Sequence, residues 1–303
     1  LIVHRMVHGG TKYRHASLLD LEVKQFIRDM IPLARTHHPA SLACIEEISE
    51  HFPEIPQAVV FDTSFHQTLP EYAWRYALPR KISDQYAIRR YGFHGISHQS
   101  VVKQAASFLK TPVNKLNLIT IHLGNGASIS AIKKGICADT TMGMTPLEGL
   151  VMGTRPGDLD PGILTLLASK GWNQEALETM LNQDSGMKGL CGTNDFREIL
   201  QNKEEGNEEA EMALELYCYR VRKTIGSFGT VIGPVDALVF TGGVGENVPW
   251  VRERSVRGME WMNIQLDTNM NDHADAPCAI HSRDSQTKIL VLPSEEEWEM
   301  ASQ

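Results

Sequence analysis

Cysteine is scarce in this chain of 303 residues. The five present, Cys44, Cys137, Cys191, Cys218 and Cys278, are odd in number, scattered and free of any CxxC spacing. That usage excludes a disulfide framework and a cysteine metal site, and it fits reduced thiols in a cytoplasm. No run of roughly 18 apolar residues occurs, so no membrane-spanning helix is expected. Basic residues are in deficit: 29 Lys and Arg against 37 Asp and Glu leave a formal charge of −8. Nucleic acid and anionic membrane are therefore poor partners, and a polyanionic ligand must be held by a few placed cations and backbone amides. The opening residues LIVHRMVHGG carry none of the regions of a secretory leader, lack an initiator Met and read as though beginning mid-strand. Neither GxGxxG nor GxxxxGK[ST] is present, which disfavours a dinucleotide fold and a P-loop.

What is there suffices for about two domains at roughly 150 residues each, with 42% hydrophobic residues to fill their cores. Apolar runs rich in β-formers at 57–61, 116–123, 127–132, 235–241 and 288–292 read as strands. Between them lie helical patterns at 97–109, from Asp160-Pro161 to about Gly171, at 173–183, and from Asn207 to Ile225 with Gly226 as C-cap. The chain is α/β.

Several loops carry functional residue types. FHGISH (93–98) opens a helix, where His94 can donate to an anion or serve as a polar turn residue. HLGNGAS (122–128) joins two strands through Gly124, Asn125 and Gly126, as an ordinary hairpin or as one whose amides meet phosphate oxygens. Arg155 in TRPGDLDP stands next to a helix start and can clamp an anion, or brace the loop by pairing with Asp158. FTGGVGEN (240–247) follows a buried strand directly, where nucleotides dock in open α/β sheets. Asp62 follows strand 57–61, and Arg5 and His8 stand beside glycines in RMVHGG. PSEEEWEM near the C-terminus reads as a capping box in which Ser294 caps and Glu297 reaches back, leaving Glu296 free for a metal or an Arg.

In order, HRMVHGG, FDTSFHQTLP, RRYGFHGISH, HLGNGASISAI, MGMTPLEGLVMGTRPGDLDP, DFREI, FTGGVGEN and LPSEEE resemble the acetate kinase family of short-chain acyl kinases, over residues from about 4 to 300. The resemblance implies the sugar kinase/Hsp70/actin-like (ribonuclease H-like) two-domain fold, with the first domain incomplete. Residues 1–64 would be the remainder of that domain, with 288–303 packing back on it, and 65–287 the nucleotide-binding domain. It implies ATP-dependent phosphorylation of acetate or a similar acid in a cytoplasmic homodimer, with Mg²⁺ or Mn²⁺. Asp62, His94 and Arg155 would be catalytic. Arg5, Val7, Phe93 and Pro146 would bind the acyl substrate. His122, Gly124, Asn125, Gly126, Asp195, Phe196, Arg197, Gly242, Gly243, Gly245 and Asn247 would face the nucleotide, and Glu296 would position the metal.

Three departures stand out. The family's opening glycine- and serine-rich phosphate turn is absent, so the alternative reading is a truncated, catalytically inactive relative that binds nucleotide or a partner. An Hsp70/actin-like ATPase is a third reading, one that gives no reason for paired arginines. Pro156 replaces the serine usual after the loop arginine and removes an N–H donor. Thr36 stands where the family tends to carry leucine, placing a hydroxyl in an apolar pocket.

Overall fold

The computed structural model describes residues 1–34 and 37–303, so Thr36 lies outside the described residues. Two sheets organise the chain. The smaller has three strands in the order β1-β3-β2: β1 (Ile2–Met6) runs parallel to β3 (Gln57–Phe61), and β2 (Ser17–Leu18) pairs antiparallel with its other edge. Helices Leu21–Asp29 and His38–His51 bury Val23, Ile27, Leu42 and Ile45 against Met6, Val59 and Phe61.

The larger sheet has the order β6-β5-β4-β7-β9-β8, built from β4 (Leu118–Leu123), β5 (Ala127–Lys133), β6 (Ile136–Thr140), β7 (Ala237–Thr241), β8 (Cys278–Ala279) and β9 (Lys288–Val291). Strands β4, β7 and β9 are parallel and covered on both faces, which is why they read as continuous apolar runs. Alternation assigns the faces. Ile119, Ile121, Leu238 and Phe240 pack with Leu214, Val221 and Ile225 of the long helix Glu208–Ile232. Leu118, Ile132 and Val239 pack with Val101, Val102 and Ala105 of helix Gly95–Phe108.

The structure corrects four local expectations. The long helix passes through Gly226 and ends at Ile232, because burial of Phe228 and Ile232 outweighs the ~1 kcal/mol cost of an interior glycine. The strand expected from 116 begins at Leu118. No capping box forms at Glu296–Ala301: the N-cap is Glu295, without a side-chain bond, and Ser294 turns to other partners. Residues 288–291 belong to the larger sheet beside β7, where Ile289, Leu290 and Val291 are fully buried. The terminal helix reaches back to β1 through Glu296.

Candidate active site

On the face of the larger sheet that meets helix Gly95–Phe108, the apolar pattern breaks toward the carboxyl end of β4. Thr120, His122, Ser128 and Ser130 take the inward positions there, and all but His122 are completely buried. The helix answers with His94 at its N-cap, Ser97, and His98 one turn on from His94. Ser128 Oγ lies 2.9 Å from His94 Nδ1 and 2.8 Å from His98 Nε2; His98 Nδ1 lies 2.8 Å from Thr120 Oγ1. His122 Nδ1 lies 2.8 Å from Ser97 Oγ, which in turn is 3.2 Å from Ser294 Oγ. The rings of His94 and His122 stack at 4.4 Å and 27°.

Burial makes these rings neutral. It takes His122 down to about 4 and His94 and His98 well below 6.5, with neighbouring histidines adding to the effect for the latter two. Arg5 adds to the shift at His94 and His122, and Arg155 at His94. His94 occupies this place in a left-handed backbone conformation, at φ 55°.

Arg5, from β1, donates from Nη2 to Asp62 Oδ2 at 2.9 Å, from Nε to both Asp62 oxygens at 3.2 and 3.3 Å, and from Nη1 to Glu296 Oε2 at 2.8 Å. Asp62 is 1% exposed, and burial raises its carboxyl to about 6 against the opposing pull of Arg5. Arg155 differs. Its Nη1 donates to the Pro146 carbonyl at 2.9 Å, and it pairs with no carboxylate among the described residues. Asp158, offered as its brace, instead accepts from the Gly149 amide at 2.8 Å.

These groups meet at one cleft of about 540 Å³, lined by Arg5, Val7, Asp62, Phe93, His94, Gly126, Pro146 and Arg155, with His37, Ala40 and Ser41 closing it. Gly126 is the junction: a Cβ there would lie 3.1 Å from His94 Nε2 and 3.6 Å from Arg155 Nη2.

The second glycine segment adjoins the first. β4 and β7 are parallel neighbours with His122 opposite Thr241, and Gly242, at φ 78°, would bring a Cβ within 2.7 Å of the Leu123 carbonyl. FTGGVGEN is a short helix here, Gly242–Asn247, with Gly243 and Asn247 exposed and Gly245 buried. At Asn125 the amide oxygen accepts from Asn194 Nδ2 at 2.8 Å and the carbonyl from the Gly153 amide at 2.9 Å. Asp195 caps the helix Phe196–Glu204 and pairs with Arg197 at 2.6 Å, both side chains reaching solvent. The Phe196 ring packs in the core against Tyr217 at 5.0 Å.

The Acetokinase family profile matches residues 1–302. The chain belongs to that family. The acetate kinase of Sulfurovum sp. (strain NBC37-1) is 52% identical over 303 residues, covering 99% of this chain and 76% of the relative. The crystal structure of Porphyromonas gingivalis acetate kinase matches with a TM-score of 0.94 at 43% identity, over 99% of this chain and 76% of that one. A propionate kinase from Francisella tularensis gives a TM-score of 0.95 at 40% identity, over 99% and 78%. The fold of this chain is accordingly the sugar kinase/Hsp70/actin-like one, and the protein is a phosphotransferase with a carboxyl group as acceptor. An inactive relative finds no support in these matches.

Sequence reasoning passed over Ser128, Thr120, Glu246 and Arg252, and weighed His98 only as a turn histidine. The spacing of His94 and His98 by four and the T-x-H and S-x-S patterns in β4 and β5 were the available signals. Glu246 holds the second glycine segment, accepting from the Gly242 amide at 2.9 Å and the Ser294 amide at 3.0 Å. Arg252, fully buried, donates to the carbonyls of Gly245 and Glu246 and to Asn271. No local pattern announces those two.

Proposed function

We propose that the protein transfers the γ-phosphoryl group of ATP to acetate, giving acetyl phosphate and ADP by direct in-line displacement. The observation that carries this reading is the convergence of Arg5, His94 and Arg155 on one cleft walled by Val7, Phe93 and Pro146. A short-chain carboxylate, with a pKa near the ~4.3 of Glu, is ionised at neutral pH and needs no general base. One of its oxygens forms the new bond to phosphorus as the bond to the ADP oxygen breaks. The protein's task is alignment and neutralisation of charge on the transferring group.

The two arginines divide that task. Asp62 and Glu296 fix Arg5 and leave two of its five N–H groups for substrate. Arg155, facing only a carbonyl, supplies the uncompensated positive charge for the anion. His94 contributes a neutral N–H donor. Val7, Phe93 and Pro146 enclose the methyl group, and the HLGNGAS and FTGGVGEN segments with Asp195 and Arg197 take the nucleotide.

Among the described residues no group of three or more His, Cys, Asp or Glu side chains could hold a metal. That suits Mg²⁺, which needs one or two protein carboxylates and completes its shell with water and phosphate. Glu296, with one oxygen engaged by Arg5, fits as that carboxylate. The ion, when bound, neutralises phosphate charge.

A homodimer in the cytoplasm belongs to the same reading, as does a nucleotide domain over 65–287 that also takes β9. No helix among the described residues is long and apolar enough to cross a membrane. The direct test is hydroxylamine trapping of acyl phosphate from ATP, Mg²⁺ and acetate, with propionate in parallel. Formation of the hydroxamate is expected, and its absence with both acids would overturn the reading.

A further inference from the structure

His94 and His122 are built alike. Each turns Nδ1 to a serine hydroxyl, Ser128 and Ser97 respectively, and each Nε2 lies beside a glycine of the 124–126 turn. Behind His94 the arrangement goes deeper, through Ser128 to His98 and on to Thr120, all three without solvent exposure.

Ser128 has one hydroxyl proton and two imidazole nitrogens beside it. If it donates to His94 it must accept from His98, and the reverse choice inverts both rings. Thr120 decides between them. Its hydroxyl has two partners: His98 Nδ1 at 2.8 Å and the Ser130 carbonyl at 3.4 Å. A proton on His98 Nδ1 would leave the fully buried Thr120 hydroxyl to donate only along that long bond, outside the ordinary O–H···O range of about 2.5–3.0 Å, so Thr120 is assigned as donor to His98 Nδ1. His98 then donates through Nε2 to Ser128, and Ser128 donates to His94 Nδ1. The remaining His94 proton sits on Nε2, the atom beside Gly126 and near Arg155.

We propose that the Thr120–His98–Ser128 chain fixes His94 as its Nε2–H tautomer, with Ser128 the positioning residue that aims a neutral donor at the transferring phosphoryl group. The proposal rests on His94 being that donor. The opposite tautomer would present a lone pair to an anion, and misassigned tautomers cost histidine enzymes most of their rate.

The test is ¹⁵N NMR of histidine-labelled full chain, with the His94 resonances identified by their loss in His94→Asn. The wild type should show His94 protonated at Nε2 alone. Ser128→Ala should mix the tautomers and lower kcat about tenfold or more, with both KM values within about twofold. Ser128→Thr, which keeps the hydroxyl, should retain the Nε2–H form. Thr120→Val keeps the shape, removes the end of the chain and should mix the tautomers as well, which covers a Ser128→Ala that fails to fold. An unchanged His94 tautomer in these variants overturns the proposal, whatever happens to stability. A changed tautomer with unchanged kcat overturns the donor role of His94 and with it the catalytic meaning of the chain.

Discussion

Where the phosphoryl group is proposed to transfer, Asp62 and His98 are buried, His94 and His122 are half-buried, and each departs strongly from its ordinary proton affinity. Where the nucleoside is proposed to bind, Asp195 and Arg197 reach solvent at 41% and 91% side-chain exposure, and Gly243 and Asn247 are exposed as well. Charge is redistributed at the first end, so its dipoles and hydroxyls must be fixed before substrate arrives. At the second end only shape must be matched, so backbone turns suffice.

The largest effect that would expose this contrast is acid unfolding. His8 (to about 3), His66 and His122 (to about 4), and His94 and His98 are all held below 6.5 by burial. A histidine lowered in the folded state supports folding above pH 6.5, and that support is lost as pH falls toward its folded value. At ~1.4 kcal/mol per group per pH unit, these five remove up to roughly 7 kcal/mol per unit, comparable with the whole stability of a domain. Asp62 acts in the opposite sense, since a raised carboxyl withdraws stability as pH climbs from about 4 to about 6. One group does not offset five. Circular dichroism should therefore find steep unfolding between pH 6 and 4.5, and a broad, late transition would break the contrast.

Next comes Arg155→Ala. Removing the uncompensated cation should cut kcat/KM about 10³-fold in the trapping assay. Its single hydrogen bond to Pro146 should leave Tm nearly unchanged. Wild-type turnover would remove the anion-clamp role.

Asp62→Asn should follow, lowering kcat/KM about 10- to 100-fold by loosening Arg5. Because burial disfavours the charged carboxylate, this variant should melt no lower than wild type at pH 7.5, and the rise of wild-type kcat/KM through pH 6 should vanish. A marked loss of Tm would mean that the Asp62–Arg5 pair acts mainly as a structural brace.

Arg197→Ala sharpens the comparison from the other side. With so exposed a pair, the KM for ATP should change less than about fivefold and kcat not at all. A large loss of kcat there would erase the distinction between the ends.

The sequence made most of this legible in unequal measure. Strands such as Gln57–Phe61 and Ala237–Thr241, buried on both faces, announce themselves by composition, although the second was expected from 235, and residues at strand ends or in glycine turns stand out by type. Arg5, Asp62, His94, Gly126 and Arg155, each picked out by type, line one cleft. Hidden from local reading were the long-range pairings. Glu246 and Ser294 are 48 residues apart, and Arg5 and Glu296 are 291 apart. Hidden too was the packing of Phe196 on Tyr217, since a motif does not say which side of its helix meets the core.

The left-handed backbone of His94 carries a consequence of its own. A bulky residue there costs on the order of 1–2 kcal/mol that asparagine or glycine would largely recover. Selection for thermal robustness alone would thus tend to drive the imidazole out of position 94, and a library screened for heat resistance should enrich inactive members at this codon. Durability and turnover pull against each other at a single torsion angle.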